Sequence, residues 1–168
     1  MSQKLHRRTL FLVCAAAIAA IYVVLTWLSA IFGLSGTAAI QLRLSEMLCI
    51  LPYFTAAAIP GLTVGCLLAN LLTAAALPDI IFGTLATLLG AVGTRLLKKW
   101  RFLAPLPPIV ANTLIIPFVI KIAYVNVADS LPFLFLTVGI GEILSVGVCG
   151  TILLVVLEKY RKHIFPEI

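Results

Sequence analysis

The chain has 168 residues, 62% of them hydrophobic and 11% charged, with a mean hydropathy of +1.19. A soluble domain carries roughly 25% charged and about 45–50% apolar residues, so a water-soluble fold is excluded. A large extramembrane catalytic domain is excluded as well, because 168 residues supply six or seven short spans and little else at about 20 residues per span.

The first element is the charge-free run from Thr9 to Phe32. It is long enough to span a bilayer and longer than the roughly 7–15 apolar residues of a signal peptide. It reads as a retained transmembrane helix. The second region, Met47 to Pro78, is also charge-free but holds Pro60-Gly61, a turn signal. It is either one long span or a helical hairpin, and the cations decide. Lys4, Arg7 and Arg8 precede the first span, Arg95, Lys98, Lys99 and Arg101 follow the fourth, and Lys159, Arg161 and Lys162 close the chain. A hairpin gives six spans and puts ten cations on one side and two, Arg43 and Lys121, on the other. A single span gives five and leaves four inside against eight outside. The positive-inside rule selects six spans with both termini cytoplasmic. Each basic cluster abuts an apolar run and none forms a stripe with interleaved aromatics, so the net charge of +6 reports orientation and not a nucleic-acid partner.

The expected spans are therefore about 9–32, 45–59, 61–77, 80–97, 106–124 and 131–157, in one domain covering 1–168. Pro107 and Pro108 suit a first helical turn, and Pro117 is placed to kink the fifth span. Trp100, Tyr124 and Tyr160 stand at span ends, as interfacial aromatics do. Small residues allow close helix contact, as in Ala15-x-x-x-Ala19, Ala16-x-x-x-Ala20, Gly61-x-x-x-Gly65 and Gly90 with Gly93. The predicted fold is an all-α integral membrane protein, a compact six-transmembrane-helix bundle in the cell membrane.

With that topology, four of the six acids lie in the outer half: Glu46, Asp79, Asp129 and Glu142. Arg43, Gln41, Asn126 and Lys121 share that level, and Asn70 and Asn112 lie within spans. Asp79 after Pro78 is either a helix N-cap or a ligand group, and Asp129-Ser130 is a cap signal. Arg43 and Glu46, three residues apart, have the spacing of a surface ion pair. Asn70 and Asn112 serve either as interhelical glue or as ligand contacts. Glu142 stands about three turns inside its span, where a carboxylate costs several kcal/mol unless it is paired, protonated or facing a polar cavity. Together these groups describe a polar pocket open to the outside, suited to a small polar ligand bearing N–H donors or positive charge.

Signals for catalysis are missing. His6 and His163 lie in the flanks, Cys14, Cys49, Cys66 and Cys149 have no metal-ligand spacing, and no P-loop occurs. Gly33-Leu34-Ser35-Gly36 matches the G-x-S-G of rhomboid proteases but lacks an embedded His, and reads as a turn. No cofactor is expected. An intramembrane enzyme is the alternative from a different class, and an oligomeric channel lacks the polar stripe it needs.

The stretch QLRLSEMLCILPYFTAAAIPGL from Gln41 to Leu62, then GCLLANL from Gly65 and DIIFGTLATLL from Asp79, resembles the QueT family. These are substrate-binding S components of energy-coupling factor (ECF) transporters. The resemblance implies uptake of queuosine precursors, which are deazaguanine bases, with another vitamin-like solute as the alternative. It also implies partners: a transmembrane coupling protein, contacted by a small-residue pattern such as Ala15 with Ala19 or Ala16 with Ala20, and two cytosolic ATPases. A guanine-like edge offers an N–H beside an exocyclic amine. Glu142 is the first choice to accept both, with Asn112 reading the carbonyl or ring edge. Glu46 or Asp79 suits a cationic substituent. Phe54, Phe82, Tyr53 or Phe133 is expected to stack on the base, a contact worth roughly 1–3 kcal/mol. Arg43 and Asn70 complete the expected site.

Overall fold

The computed structural model describes residues 2–34, 42–123 and 130–164. Its main elements are α1 (Ser2–Ile31), a 3₁₀ segment (Leu44–Tyr53), α2 (Ala58–Leu72), α3 (Leu77–Leu96) and α4 (Leu106–Ala123). A continuous rod follows, in which α5 (Leu131–Glu142) passes through a π-helical segment (Ile143–Gly150) into α6 (Thr151–Ile164). Among the described residues, four stretches are long and apolar enough to cross a membrane: Lys4–Ile31, Leu77–Leu96, Arg101–Ala123 and Leu131–Arg161.

The hairpin expected around Pro60-Gly61 forms, but its turn lies elsewhere. The chain reverses over residues 54–57, where the Ala57 amide donates to Thr55 Oγ1 at 3.2 Å. Pro60 falls in the first turn of α2, where the missing N–H has no intrahelical partner to lose. The two arms are shorter than the expected 45–59 and 61–77. Ten residues of 3₁₀ helix rise roughly 20 Å, and the fifteen of α2 roughly 22 Å. Both are less than the about 30 Å of bilayer hydrocarbon.

Helix contacts give the directions of the chain. Gly61 faces Ala15 and Ile18, and Gly65 faces Ala19 and Tyr22, so α2 runs parallel to α1. Gly93 and Gly90 face Pro107 and Pro108 in reverse order, so α3 and α4 are antiparallel, and Gly139 with Thr113 and Gly147 with Ile109 make α4 antiparallel to the last rod. The 3₁₀ segment starts beside Ser29, where the Leu44 amide donates to Ser29 Oγ at 2.9 Å, and ends where Arg95 donates to the Pro52 carbonyl at 3.1 Å. The three basic clusters therefore share one end of the bundle. Arg101 and Glu158 close that end with an ion pair at 3.0 Å.

The 3₁₀ segment is the centre of the protein. Leu48, Cys49, Ile50 and Leu51 are buried in one apolar cluster with Tyr22, Leu62, Cys66, Val146 and Leu154. The opposite faces of the long helices expose Ile21, Val24, Leu85, Leu89, Leu114, Phe118, Ile152 and Val155, the surface a bilayer solvates. This is an all-α membrane bundle held by close backbone approach. At Gly90 an added Cβ would lie 2.7 Å from Pro108 Cα and 2.9 Å from its Cβ, atoms of a rigid ring that cannot rotate away. Gly90→Ala is expected to destabilise by about 1–3 kcal/mol, read as a lower melting temperature of the purified protein in detergent.

Candidate functional site

At the start of the 3₁₀ segment two polar residues, Ser45 and Glu46, enter the bundle. Ser45 Oγ hydrogen-bonds Thr26 Oγ1 at 2.8 Å, which fixes the segment against α1. One residue on, Glu46 is 2% exposed and has a protein donor on each oxygen. Its Oε1 accepts from Tyr22 Oη at 2.6 Å, and its Oε2 accepts from Asn112 Nδ2 at 3.3 Å and from the Cys49 thiol at 3.2 Å. A buried carboxyl group at this depth is tolerated because both of its oxygens are hydrogen-bonded. The result ties α1, the 3₁₀ segment and α4 together at one point.

Glu142 adjoins this network beside Asn112 and Glu46. It ends α5, roughly 16 Å along the helix from Leu131 at 1.5 Å per residue. It is 8% exposed, and its Oε2 has no hydrogen-bond partner among the described residues. The two carboxylates therefore differ in kind: one is hydrogen-bonded on both oxygens and the other keeps an oxygen open.

A second group lies at the end opposite the basic clusters. Arg43 Nη2 donates to Asn70 Oδ1 at 3.5 Å and stands 3.8 Å from Asp79 Oδ2. Asn70 Nδ2 in turn donates to the Asp79 carbonyl at 3.4 Å. These distances are at the long limit of hydrogen bonding, so Arg43 is held loosely. Gly83 makes room for the pair: a Cβ there would meet Asp79 Oδ1 at 3.2 Å and Asn70 Nδ2 at 3.3 Å.

The structure thus brings together six predicted site residues in two linked groups, Glu46–Asn112–Glu142 and Arg43–Asn70–Asp79. Several expectations are corrected. Arg43 and Glu46 do not pair with each other, because the backbone turn sends one to α2 and α3 and the other to α1 and α4. Asp79 is not the N-cap of α3. Ala76 holds that position with extended backbone, and Asp79 sits in the first turn, where the helix dipole also favours a carboxylate. The aromatic candidates lie elsewhere. Phe54 is buried at the far end of the 3₁₀ segment, edge-on to Tyr53 with centroids 5.0 Å apart. Phe82 and Phe133 are outward-facing and exposed. The small-residue stripes divide too. Ala15 and Ala19 are occupied by Gly61 and Gly65 of α2, which removes them as a partner surface, while Ala16 and Ala20 remain exposed. Gln41, Tyr124, Asn126, Asp129, Ser35 and Gly36 lie outside the described residues.

Tyr22 and Cys49 were missing from the expected site. Tyr22 is the one hydroxyl-bearing aromatic inside the first apolar run, and a phenol at mid-span needs a partner, which is the signal that pointed to it. Cys49 carries no such signal, since a buried thiol is an ordinary small hydrophobe.

Compared with known families, residues 12–159 match the model of the QueT transporter. The chain belongs to the QueT transporter family. The match runs from α1 to α6 and includes every residue of both polar groups. No curated protein and no solved structure matches the chain. As a member of this transporter family the chain is a membrane protein that handles a small-molecule solute, and it is not an enzyme. For a QueT transporter, a buried polar network reached by six helical elements is the natural place to look for that solute.

Proposed function

We propose that this QueT transporter is the substrate-binding S component of an ECF-type importer in the plasma membrane. It captures a queuosine-precursor deazaguanine base outside and delivers it to the cytoplasm. The observation that carries this reading is Glu142: a buried carboxylate with one oxygen unpartnered, beside an Asn112 whose amide is held by Glu46. A 2-amino-4-oxo base edge presents adjacent N–H donors, and the unpartnered Glu142 Oε2 can accept from it with a charge-assisted bond. Ten of the twelve cations mark one end of the bundle, and the positive-inside rule makes that end cytoplasmic. The polar groups then face the outside half. The chain has no P-loop, so the energy for release comes from partners: a transmembrane coupling protein and two cytosolic ATPases. The exposed Ala16-x-x-x-Ala20 stripe of α1 is the surface that suits close packing with the coupling protein.

Ligand binding stabilises the folded state by mass action, about 2.7 kcal/mol at a hundredfold excess over Kd. A thermal-shift panel of deazaguanines, guanine and vitamins on the purified protein is expected to show a rise for the deazaguanines. No response to them, with a clear response to another solute, overturns the substrate and leaves a transporter for a different vitamin-like molecule. Uptake by the chain alone, without any co-purifying ATPase, overturns the coupling.

A further inference from the structure

Hydroxyls buried in a span usually satisfy themselves on the carbonyl one turn back. Thr26, Ser29, Thr63 and Thr87, buried or half-buried, all do so here, at 2.8–3.0 Å to the carbonyl four residues earlier. Ser145 does not. It is 2% exposed, more deeply buried than Glu142, and its Oγ has no partner among the described residues. The buried hydroxyl oxygens of Thr84 and Thr113 also lack partners, but each residue as a whole is half-buried, whereas Ser145 is buried throughout.

Ser145 is the third residue of the π-helical segment Ile143–Gly150. π-helical turns concentrate at functional sites, and the Ser145 hydroxyl stands in one without the bond to its own helix that Thr26, Ser29, Thr63 and Thr87 make. The burial pattern gives the direction. Gly141, Glu142, Ser145 and Val146 are buried, whereas Ile143 and Leu144 between them are exposed. Ser145 and Glu142 therefore stand on the same inward face, one turn apart, each with an unpartnered side-chain oxygen.

We infer that Ser145 is a ligand-contacting residue of the transport site, its hydroxyl and Glu142 Oε2 together receiving one polar edge of the substrate. This rests on the reading of the site above. A hydroxyl both donates and accepts, so beside an acceptor-only carboxylate it fits an edge where a ring N–H or amine adjoins a carbonyl or ring nitrogen. The open oxygens are then the form of the site waiting for ligand, kept at a stability cost that binding removes.

That cost makes the test directional. Ser145→Ala removes a hydroxyl that has no protein partner, so the ligand-free variant is expected to melt at or above the wild-type temperature in detergent. The same variant is expected to bind 7-deazaguanine about tenfold more weakly in isothermal titration, the size of one neutral hydrogen bond. An unchanged Kd overturns the inference. A lower ligand-free melting temperature also overturns it, since it means the hydroxyl serves the fold, for instance through a structural water. If the wild-type chain ignores 7-deazaguanine but binds another solute of the panel, the substrate assignment falls. Ser145 is then judged by the same two criteria against that solute. A wild-type chain that binds no small solute overturns both.

Discussion

Glu142→Gln is expected to weaken substrate binding by about 1.5–3 kcal/mol, or roughly tenfold to 150-fold in Kd. The substitution keeps shape and volume but removes the charge and turns one acceptor oxygen into a donor. Glu142 Oε2 has no partner among the described residues, and the amide keeps an oxygen that can still accept from Asn112, so the protein itself loses little. An isosteric neutral amide also relieves the cost of keeping a carboxylate away from water. Affinity should therefore fall while the ligand-free melting temperature holds or rises. Isothermal titration of purified wild type and variant measures the first, and thermal unfolding in detergent measures the second. Equal affinities would remove Glu142 from the binding site, and a large loss of ligand-free stability would make it a structural residue.

Glu46→Ala should show the reverse pattern. Glu46 accepts from Tyr22, Cys49 and Asn112, so its loss strands a phenol and an amide in a nearly dry interior. With interhelical hydrogen bonds at roughly 0.6–2 kcal/mol each and unpaired donors at about 1–3, the expected cost is about 2–5 kcal/mol. It should appear without ligand, as a depressed melting temperature or poor recovery of folded protein. An unaltered melting temperature would mean that the network does not hold α1, the 3₁₀ segment and α4 together. The two carboxylates, close in space and alike in chemistry, are thus separable by experiment: a loss of ligand-free stability is expected for Glu46 and a loss of affinity for Glu142.

Much of the site was legible because charge is rare in this chain. With six acids in 168 residues, each one inside an apolar region must be explained. Glu46, Asp79 and Glu142 stood out together with Arg43, Asn70 and Asn112. What periodicity did not reveal was their grouping. Arg43 and Glu46 have helical spacing that suggests a pair, yet a 3₁₀ segment with non-helical backbone at Arg43 turns them toward different helices. The aromatics misled for a related reason. In a bilayer an exposed Phe82 or Phe133 costs nothing, so their presence near polar residues in sequence says nothing about which way they face. Ser145 had no sequence signal either, because a serine in a span is ordinarily satisfied by its own helix. Its unpartnered oxygen shows only in the folded structure.

Composition and the placement of cations by themselves determined that this is an all-helical membrane protein with the three basic clusters at one end. The reason is that desolvating charge and leaving backbone groups unpaired are penalties that every membrane chain must avoid in the same few ways. The tertiary structure decided what those rules leave free. It moved the hairpin turn to residues 54–57, assigned Ala15 and Ala19 to α2 while leaving Ala16 and Ala20 exposed, and gave Glu46 three donors and Glu142 Oε2 none. These choices depend on distances of a few ångströms between residues far apart in the chain. Local propensity carries no information about them, and only packing sets them.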